Sequence, residues 1–383
     1  MANHTQNALR IQHGITCYII KTMKILIVPS VCIPDCGSAV MIARNLTGLF
    51  HLQGFEVAIC ADRKSRFSDI AFYESPSPIP SRRIRSRYGT TPEEYFEDHG
   101  AFSTSYLLRD YKAITEAITD FQPDRIIEIE RPAAVLAAVQ TGKKLFSVVS
   151  SPAFRNREFR VSSMNGLNEF LTRIGMEQVL RFRELYHFSS CIGFGPSLCQ
   201  SFPAEYPVRQ IGMSCIEPLP QAGDSKLSIV ISESGLSSRK NRQILESAFL
   251  GAPYEIYIHA RRMKQGRQGN LHFLQPSRHT SVNGSRVCIH DGSDAITQYC
   301  YACGVPQVIV HDNSWQRSWN AAGLRRTGAG LSLEESQLSM ERLYETYRMV
   351  AADDSFAENA QRLKQAVHEE QDLTAILPLL GAD

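Results

Sequence analysis

Apolar and polar residues alternate along the chain in blocks that predict strands and helices in turn. Residues 24–28 and 56–60 are continuous apolar runs, which are typical of parallel strands buried on both faces. Residues 38–53 between them carry apolar side chains at helical spacing, and Gly54 ends this predicted helix. A strand, a crossover helix and a second strand form a β-α-β unit, so the pattern predicts an α/β fold.

The alternation continues through residue 194 and then pauses. Further strands are predicted at 123–129, 144–150 and 190–194, the last of this half, and further helices at 91–120, 133–140 and 167–186. Residues 206–224 are rich in proline and contain two glycines, a composition typical of a linker. We therefore assign a first domain to 23–212 and a linker to 213–226. Residues 1–22 show no periodicity and are expected to be a disordered leader.

After the linker the alternation restarts. The predicted strands lie at 227–231, 254–259, 271–274, 287–289 and 308–310, and the predicted helices at 239–250, 295–303, 336–352 and 355–368. These elements predict a second domain over 227–354, followed by carboxyl-terminal helices over 355–383.

Length and composition agree with two domains. The chain has 383 residues, and a domain commonly takes roughly 100–200. A formal net charge of +2 argues against a global attraction to nucleic acid or anionic membrane. No apolar run approaches the roughly 18 residues of a spanning helix, and residues 1–22 lack a signal-peptide pattern, so a cytoplasmic location is the default expectation. The lone pair Cys300 and Cys303 predicts packing, and no second pair completes a metal site.

Candidate chemistry concentrates in residues 288–331. The turn Asp291-Gly292-Ser293 follows a predicted strand, and Ser293 or Asp294 can cap the helix predicted to follow it. Free N–H groups and the helix dipole at such a turn favour a phosphate. The sequence therefore predicts an anion-binding turn at this point.

The same stretch resembles the carboxyl half of GT-B glycosyltransferases that use nucleoside-diphosphate sugars to modify small molecules and lipids. That family's pattern is His-Gly-Gly, a helix, Gly-Val-Pro, a short strand, Asp-Gln, Asn-Ala and Gly-x-Gly. The positions kept here are His290, Gly292, 304–306, Gln316, 320–321 and 328–330. The resemblance implies an α/β, GT-B architecture of two Rossmann-like domains facing across a central cleft, with carboxyl-terminal helices crossing back to the first domain.

The resemblance also implies a reaction and a donor site. The first domain would bind a small-molecule or lipid acceptor, and the second a UDP or dTDP sugar as co-substrate, with inverting transfer and neither a cofactor nor a metal. The donor-binding residues it implies are Ser234, Gly235, His290, Gly292, Ser293, Asp294, Gln298, Trp315, Gln316 and Asn320. Three positions depart from the family: Ala295 replaces a phosphate-binding hydroxyl, Gln298 a ribose-binding Glu, and Trp315 an acidic residue. These departures predict weak donor binding or an unusual donor.

The catalytic base is the largest departure. The family carries a Gly-His in the loop after the first strand, and the matching loop here contains Asp35, Gly37 and Ser38 but no histidine. Asp35 is the candidate base, with Ser38 beside it, because burial raises a carboxylate pKa toward the working range. Alternatively, Asp35 and Ser38 only cap the helix that follows.

Two functions of different class remain open at this stage. The first is an active glycosyltransferase of specialised metabolism or envelope assembly. The second is a catalytically inactive GT-B protein that acts as the auxiliary partner of a transferase, and a homodimer is also compatible with the sequence. A nucleotide-sugar epimerase or hydrolase would need an acidic constellation that the sequence does not display.

Overall fold

In a computed structural model of the protein, the chain forms two seven-stranded sheets flanked by helices. The structure describes residues 22–31, 37–67, 69–80, 89–212, 226–231, 238–260, 264–274, 282–370 and 372–381. The predicted α/β architecture of two Rossmann-like domains is confirmed. The predicted leader and most of the predicted linker lie outside the described residues.

The first sheet is entirely parallel, in the order β3-β2-β1-β4-β5-β6-β7. Its strands are β1 Lys24–Pro29, β2 Glu56–Ala61, β3 Ala71–Glu74, β4 Arg125–Ile129, β5 Lys144–Val149, β6 Ser190–Phe194 and β7 Val208–Ile211. The inner strands are buried along almost their whole length, as their apolar runs predicted. Since all strands run the same way, the segments following β1, β4 and β5 meet at one edge of the sheet.

The helices of this domain are α1 Gly37–Leu52, α2 Pro92–Asp98, α3 Thr104–Phe121, α4 Pro132–Gln140 and α5 Asn165–Arg173. Two sequence predictions were wrong here. The helix predicted at 91–120 is broken at Gly100, whose φ is +75° and where a Cβ would lie 2.1 Å from the Ile79 carbonyl oxygen. The helix predicted at 167–186 ends at Arg173 and is followed, after an irregular stretch, by a 3-10 helix at Phe182–Phe188.

The second sheet has the order β10-β11-β9-β8-β12-β13-β14, parallel except for β10. Its strands are β8 Lys226–Ile231, β9 Ile256–Ala260, β10 Gly266–Gln268, β11 Leu271–Leu274, β12 Ser285–His290, β13 Gln307–His311 and β14 Gly330–Glu334. Its helices are α6 Arg239–Phe249, α7 Asp294–Cys303, α8 Trp315–Thr327, α9 Met340–Ala352 and α10 Asp354–Glu369. Strands β3, β7, β10 and β14 had not been predicted, and residue 194 is therefore not the end of the first domain's last strand.

The last described residues of the chain pack against the first domain. Within the carboxyl-terminal segment 355–383, helix α10 packs against α7 in the second domain, so residues 355–369 do not cross. A 3-10 helix at Leu373–Ile376 and α11 Leu377–Gly381 follow, and Leu373, Ile376 and Leu380 are buried in the first domain's core. Arg125 Nε donates to the Leu380 carbonyl at 3.0 Å, which fastens this segment to β4.

A buried ion pair fixes the backbone beyond β4. The Arg131 guanidinium is 1% exposed, pairs with Asp110 on α3, and donates to the Pro29 and Cys60 carbonyls at 3.0 Å each. It also donates to Ser75 Oγ at 2.6 Å. The Arg131 side chain thus joins α3 to the ends of β1 and β2 and holds the turn that immediately precedes Arg131.

No helix among the described residues is long and apolar enough to cross a membrane.

Candidate functional site

The turn between β12 and α7 is held together by His290. The imidazole is fully buried; Nδ1 accepts from the Gly292 N–H at 3.0 Å and Nε2 lies 2.9 Å from Gln307 Oε1. Nδ1 is therefore the acceptor and Nε2 carries the proton. Burial lowers the pKa of His290, so the ring is neutral at pH 7. His290, expected as a donor ligand, has both ring nitrogens engaged in supporting the turn.

Gly292 is required by the shape of this turn. Its φ is +78°, a left-handed conformation that side chains disfavour. A Cβ at this position would lie 2.7 Å from Ile309 Cγ2 on β13. The Gly292 carbonyl accepts from Asn320 Nδ2 at 2.9 Å, which ties the turn to α8. Glycine is thus needed for both the backbone angle and the close packing.

Asp294 is the first residue of α7, and its carboxylate accepts hydrogen bonds from two side-chain amides of α8. Gln316 Nε2 donates to Asp294 Oδ2 at 2.6 Å, and Asn320 Nδ2 donates to Asp294 Oδ1 at 2.6 Å. Burial raises the pKa of the Asp294 carboxyl, while the hydrogen bonds from the Asn320 and Gln316 side-chain amides oppose the rise. Asp294, Gln316 and Asn320, all predicted to bind the donor, are therefore hydrogen-bonded together. The Asp294 carboxylate accepts from both side-chain amides.

Glu130 approaches this cluster from the first domain, directly after β4. Its φ is +52°, a rare conformation for a residue with a side chain, costing of order 1 kcal/mol. Ser150 Oγ, at the end of β5, donates to Glu130 Oε1 at 2.9 Å. Burial and then the negative charge of Asp294 raise the pKa of Glu130 to about 7. The charge of Asp294 on α7 thus acts on a first-domain carboxyl whose pKa lies near neutrality.

Glu130 escaped the sequence prediction because nothing in its local pattern marks it. Glu128, within β4, is fully buried, and burial raises its pKa to about 8. The charges that act near Glu130 are those of Asp294 on α7, Glu128 on β4 and, above its raised pKa, the Tyr186 phenol of the 3-10 helix. Only the fold brings these groups together.

The elevated carboxyl pKa values predict that stability falls as pH rises. The folded protein holds protons that the unfolded chain releases near pH 4.3, so folding becomes less favourable between about pH 4 and pH 8. We expect Glu130→Gln to raise the thermal midpoint more at pH 8 than at pH 5.5. The exposed Glu158→Gln is the control. Parallel pH curves for wild type and Glu130→Gln would show that Glu130 has an ordinary pKa.

The remaining predicted residues fall in three groups. Asp35, Ser234 and Gly235 lie outside the described residues. Ser38 is half-buried in the first turn of α1, and Ser293 precedes α7 without a side-chain cap. Gln298 Oε1 is buried and has no hydrogen-bond partner among the described residues.

Trp315, predicted to bind the donor, is buried at the contact between the two domains. Its side chain is 5% exposed and belongs to the first domain's core, with its ring centroid 6.3 Å from that of Tyr95 on α2. Its backbone N–H donates to the Gly89 carbonyl at 3.2 Å. The residue therefore joins the two domains. A tryptophan at this position replaces a polar contact by interdomain packing.

A cavity of about 280 Å³ lies between the domains. The first domain supplies the residues after β5 and the loop after β6, and α8 supplies Trp319. The lining residues are Ser151, Phe154, Arg155, Ser201, Phe202, Pro203 and Trp319. Its position beside the segment that follows Ser150 sets it on the same sheet edge as Glu130.

Part of the carboxyl-terminal region is similar in sequence to known proteins. Residues 278–378 match a family model described as "Erythromycin biosynthesis protein CIII-like, C-terminal domain". A curated relative, an aclacinomycin-T 2-deoxy-L-fucose transferase of Streptomyces galilaeus, is 34% identical over 93 residues. That match spans 24% of this chain and about a fifth, 21%, of the relative.

Solved structures resemble the chain over nearly its whole length. The glycotransferase of kitacinnamycin has a TM-score of 0.74 at 14% identity, covering 94% of this chain and 99% of that protein. The glycosyltransferase VinC, solved in complex with dTDP, has a TM-score of 0.69 at 17% identity, covering 94% and 98%. At these identities the likeness shows the fold, which is GT-B as the motif predicted.

Proposed function

We propose that the whole chain is a glycosyltransferase of the macrolide and antibiotic type, because residues 278–378 match the EryCIII-like model and the chain has the GT-B fold. It transfers a sugar from a nucleoside diphosphate, UDP or dTDP, to the hydroxyl of a small-molecule or lipid acceptor. Transfer inverts the anomeric centre and requires neither a cofactor nor a metal. The curated relative is a 2-deoxy-L-fucose transferase and VinC was solved in complex with dTDP, which supports this class of donor and reaction.

One observation carries the proposal. A glycine turn at the carboxyl end of β12 meets the amino terminus of α7 and the amides of α8, and the charge of Asp294 there raises the pKa of a first-domain carboxyl, Glu130. Backbone N–H groups and side-chain amides favour an anion, and a carboxyl with a pKa near 7 suits proton abstraction. Anion binding and base catalysis would then meet at the domain interface, where a transferase needs them.

The donor is held by the second domain in this proposal. The diphosphate binds at the Gly292 turn, and the amides of Gln316 and Asn320 turn from Asp294 to the donor. The unpaired Gln298 Oε1 accepts a hydrogen bond from a ribose hydroxyl. His290 acts indirectly because its two ring bonds keep the turn in shape. Ser234 and Gly235 remain candidate diphosphate contacts from their sequence position.

The acceptor is activated by a carboxylate in this proposal. Glu130 takes the proton of the acceptor hydroxyl, the oxygen forms a bond to the anomeric carbon, and the bond from that carbon to the diphosphate breaks. The leaving diphosphate keeps the electron pair, and the helix amino terminus stabilises its charge. Asp35 is the competing base, because its loop follows β1, the strand beside β4. Ser38 would orient the acceptor beside it.

Nucleotide binding tests this function directly. A ligand that binds only the folded state stabilises it by about 2.7 kcal/mol at a concentration of 100 Kd. We therefore expect one of UDP, dTDP or GDP to raise the thermal midpoint, and its sugar conjugate to be consumed in an acceptor screen. Gly292→Ala is the matched negative control for binding. No shift with any nucleotide at millimolar concentration would favour the auxiliary-partner function.

Asp294 provides a second test, because its carboxylate competes with a diphosphate for the same amides. We expect Asp294→Asn to tighten binding of the free nucleoside diphosphate by about tenfold, the effect of removing about 1.4 kcal/mol of like-charge repulsion. Isothermal titration measures the change. Asp354→Asn is the matched control, since Asp354 is also the first residue of a helix but is exposed. Weaker binding by Asp294→Asn would instead make Asp294 a donor ligand.

A further inference from the structure

Trp319, on α8, lies between two arginines in the wall of the interdomain cavity. The Arg155 guanidinium carbon is 4.9 Å from the indole centroid, and that of Arg326 is 5.1 Å from it. Arg155 comes from the first domain and Arg326 from the second. A cation over an aromatic face is attracted by the ring, which holds both guanidinium groups near the cavity.

The charge of this pair is not balanced by the surrounding protein. Among the described residues, neither Arg155 nor Arg326 forms an ion pair with a carboxylate. Burial, followed by the neighbouring cations Arg157 and Arg326, lowers the pKa of Arg155. A half-buried guanidinium is therefore kept near other positive charges, a costly arrangement that an incoming anion would relieve.

The indole N–H of Trp319 is not accessible from the cavity. Trp319 Nε1 is buried and has no acceptor within the part of the chain that the structure describes. The Arg155 guanidinium lines the cavity and is therefore the donor from which a carboxylate there would accept hydrogen bonds.

The rest of the wall is apolar and aromatic. Phe154 and Phe202 face each other edge to face, with ring centroids 5.6 Å apart. Ser151 and Ser201 already bond to each other through Ser151 Oγ, at 2.8 Å to the Ser201 carbonyl and 3.0 Å from its N–H. The volume of about 280 Å³ is at the small end of the roughly 300–1,000 Å³ typical of ligand pockets. It suits one or two fused rings.

We propose that this cavity binds an aromatic carboxylate, with the acid group on Arg155 and the rings against Phe154 and Phe202. The assignment deepens the proposed function by giving the acceptor's class, and in that respect it rests on that function. The binding itself does not require transfer, so it can be tested without a donor.

The chain contains two tryptophans, which makes the test specific. The ¹⁵N-labelled protein gives two indole N–H resonances, assigned with Trp315→Phe, and Trp315 is the internal control. We expect 2-naphthoate to shift the Trp319 indole resonance, because Trp319 lines the cavity and Arg155 lies over its ring, and to leave Trp315 unmoved. The neutral isostere 2-naphthamide should bind at least tenfold more weakly.

Two variants distinguish binding at this cavity from a general attraction of the anion to nearby positive charge. Arg155→Gln should weaken 2-naphthoate by about 10- to 100-fold, the range for losing a hydrogen bond to a charged group. Arg157→Gln, which removes a nearby cation but no lining group, should change affinity less than threefold. Equal binding of naphthoate and naphthamide, or an unmoved Trp319 resonance at saturation, would overturn the proposal. If 2-naphthoate binds but no nucleotide raises the thermal midpoint, the carboxylate site stands and the proposed transferase function is rejected. If a nucleotide raises the midpoint but 2-naphthoate does not bind, the transferase function stands and this site is rejected.

Discussion

Glu130→Gln is expected to slow sugar transfer by about 10²- to 10⁴-fold, the contribution typical of a positioned general base. Glutamine keeps the size of the side chain and can still accept the Ser150 bond, but it cannot take a proton. Nucleotide affinity should be retained or improved, because a negative charge facing Asp294 is removed. The kcat and KM for transfer, with the nucleotide thermal shift, separate the two effects.

The pH profile gives this prediction a signature that a structural role would not produce. A base must be deprotonated to act, so wild-type kcat/KM should fall as pH drops below the Glu130 pKa of about 7. The residual activity of Glu130→Gln should lack that acidic limb. Asp35→Asn is the matched comparison. If Asp35→Asn loses activity while Glu130→Gln stays within twofold of wild type, the base is Asp35.

Arg131→Met is expected to destabilise the first domain by about 3–5 kcal/mol, the usual cost of removing one partner of a buried pair. Asp110, which is fully buried, would keep a charge without its counter-ion. The Pro29 and Cys60 carbonyls would also lose their donor. The loss should appear as a lower urea midpoint followed by far-UV circular dichroism.

The double variant Asp110→Leu with Arg131→Met is the control for this prediction. It removes both charges, so we expect it to recover at least half of the stability lost by Arg131→Met. Transfer should remain impaired in both, because the Pro29 and Cys60 carbonyls at the ends of β1 and β2, beside the Glu130 turn, lose their donor in both. A loss below about 1 kcal/mol in Arg131→Met would contradict the idea that this pair holds the ends of β1 and β2 together.

The elements that the sequence predicted are those whose burial is uniform. Inner strands such as β1 and β4 are apolar throughout because helices and neighbouring strands cover them. The four strands that were missed, β3, β7, β10 and β14, are the four sheet edges. β3 and β10 contain no buried residue, and β7 contains one. An edge strand needs little apolar surface, so it leaves a weak pattern.

The site was only partly predictable for a different reason. Local spacing was enough to identify the Gly292 turn, because a strand, a left-handed glycine and a helix start are neighbours in sequence. The chemistry of Glu130 depends on Asp294 in the other domain, and the burial of Trp315 depends on Tyr95. Such properties arise from interdomain contacts that no local pattern contains.

Because the end of the chain packs in the first domain, it limits how the second domain can be exchanged in chimeric proteins with a different donor specificity. Leu373, Ile376 and Leu380 complete a core to which the second domain otherwise adds Trp315. A single-junction graft of a foreign carboxyl-terminal half would replace all of these residues and leave the acceptor half with a mismatched core. Chimeras should therefore have two junctions, one within 213–225 and one after Glu370, so that the graft is an insert and the native tail is kept.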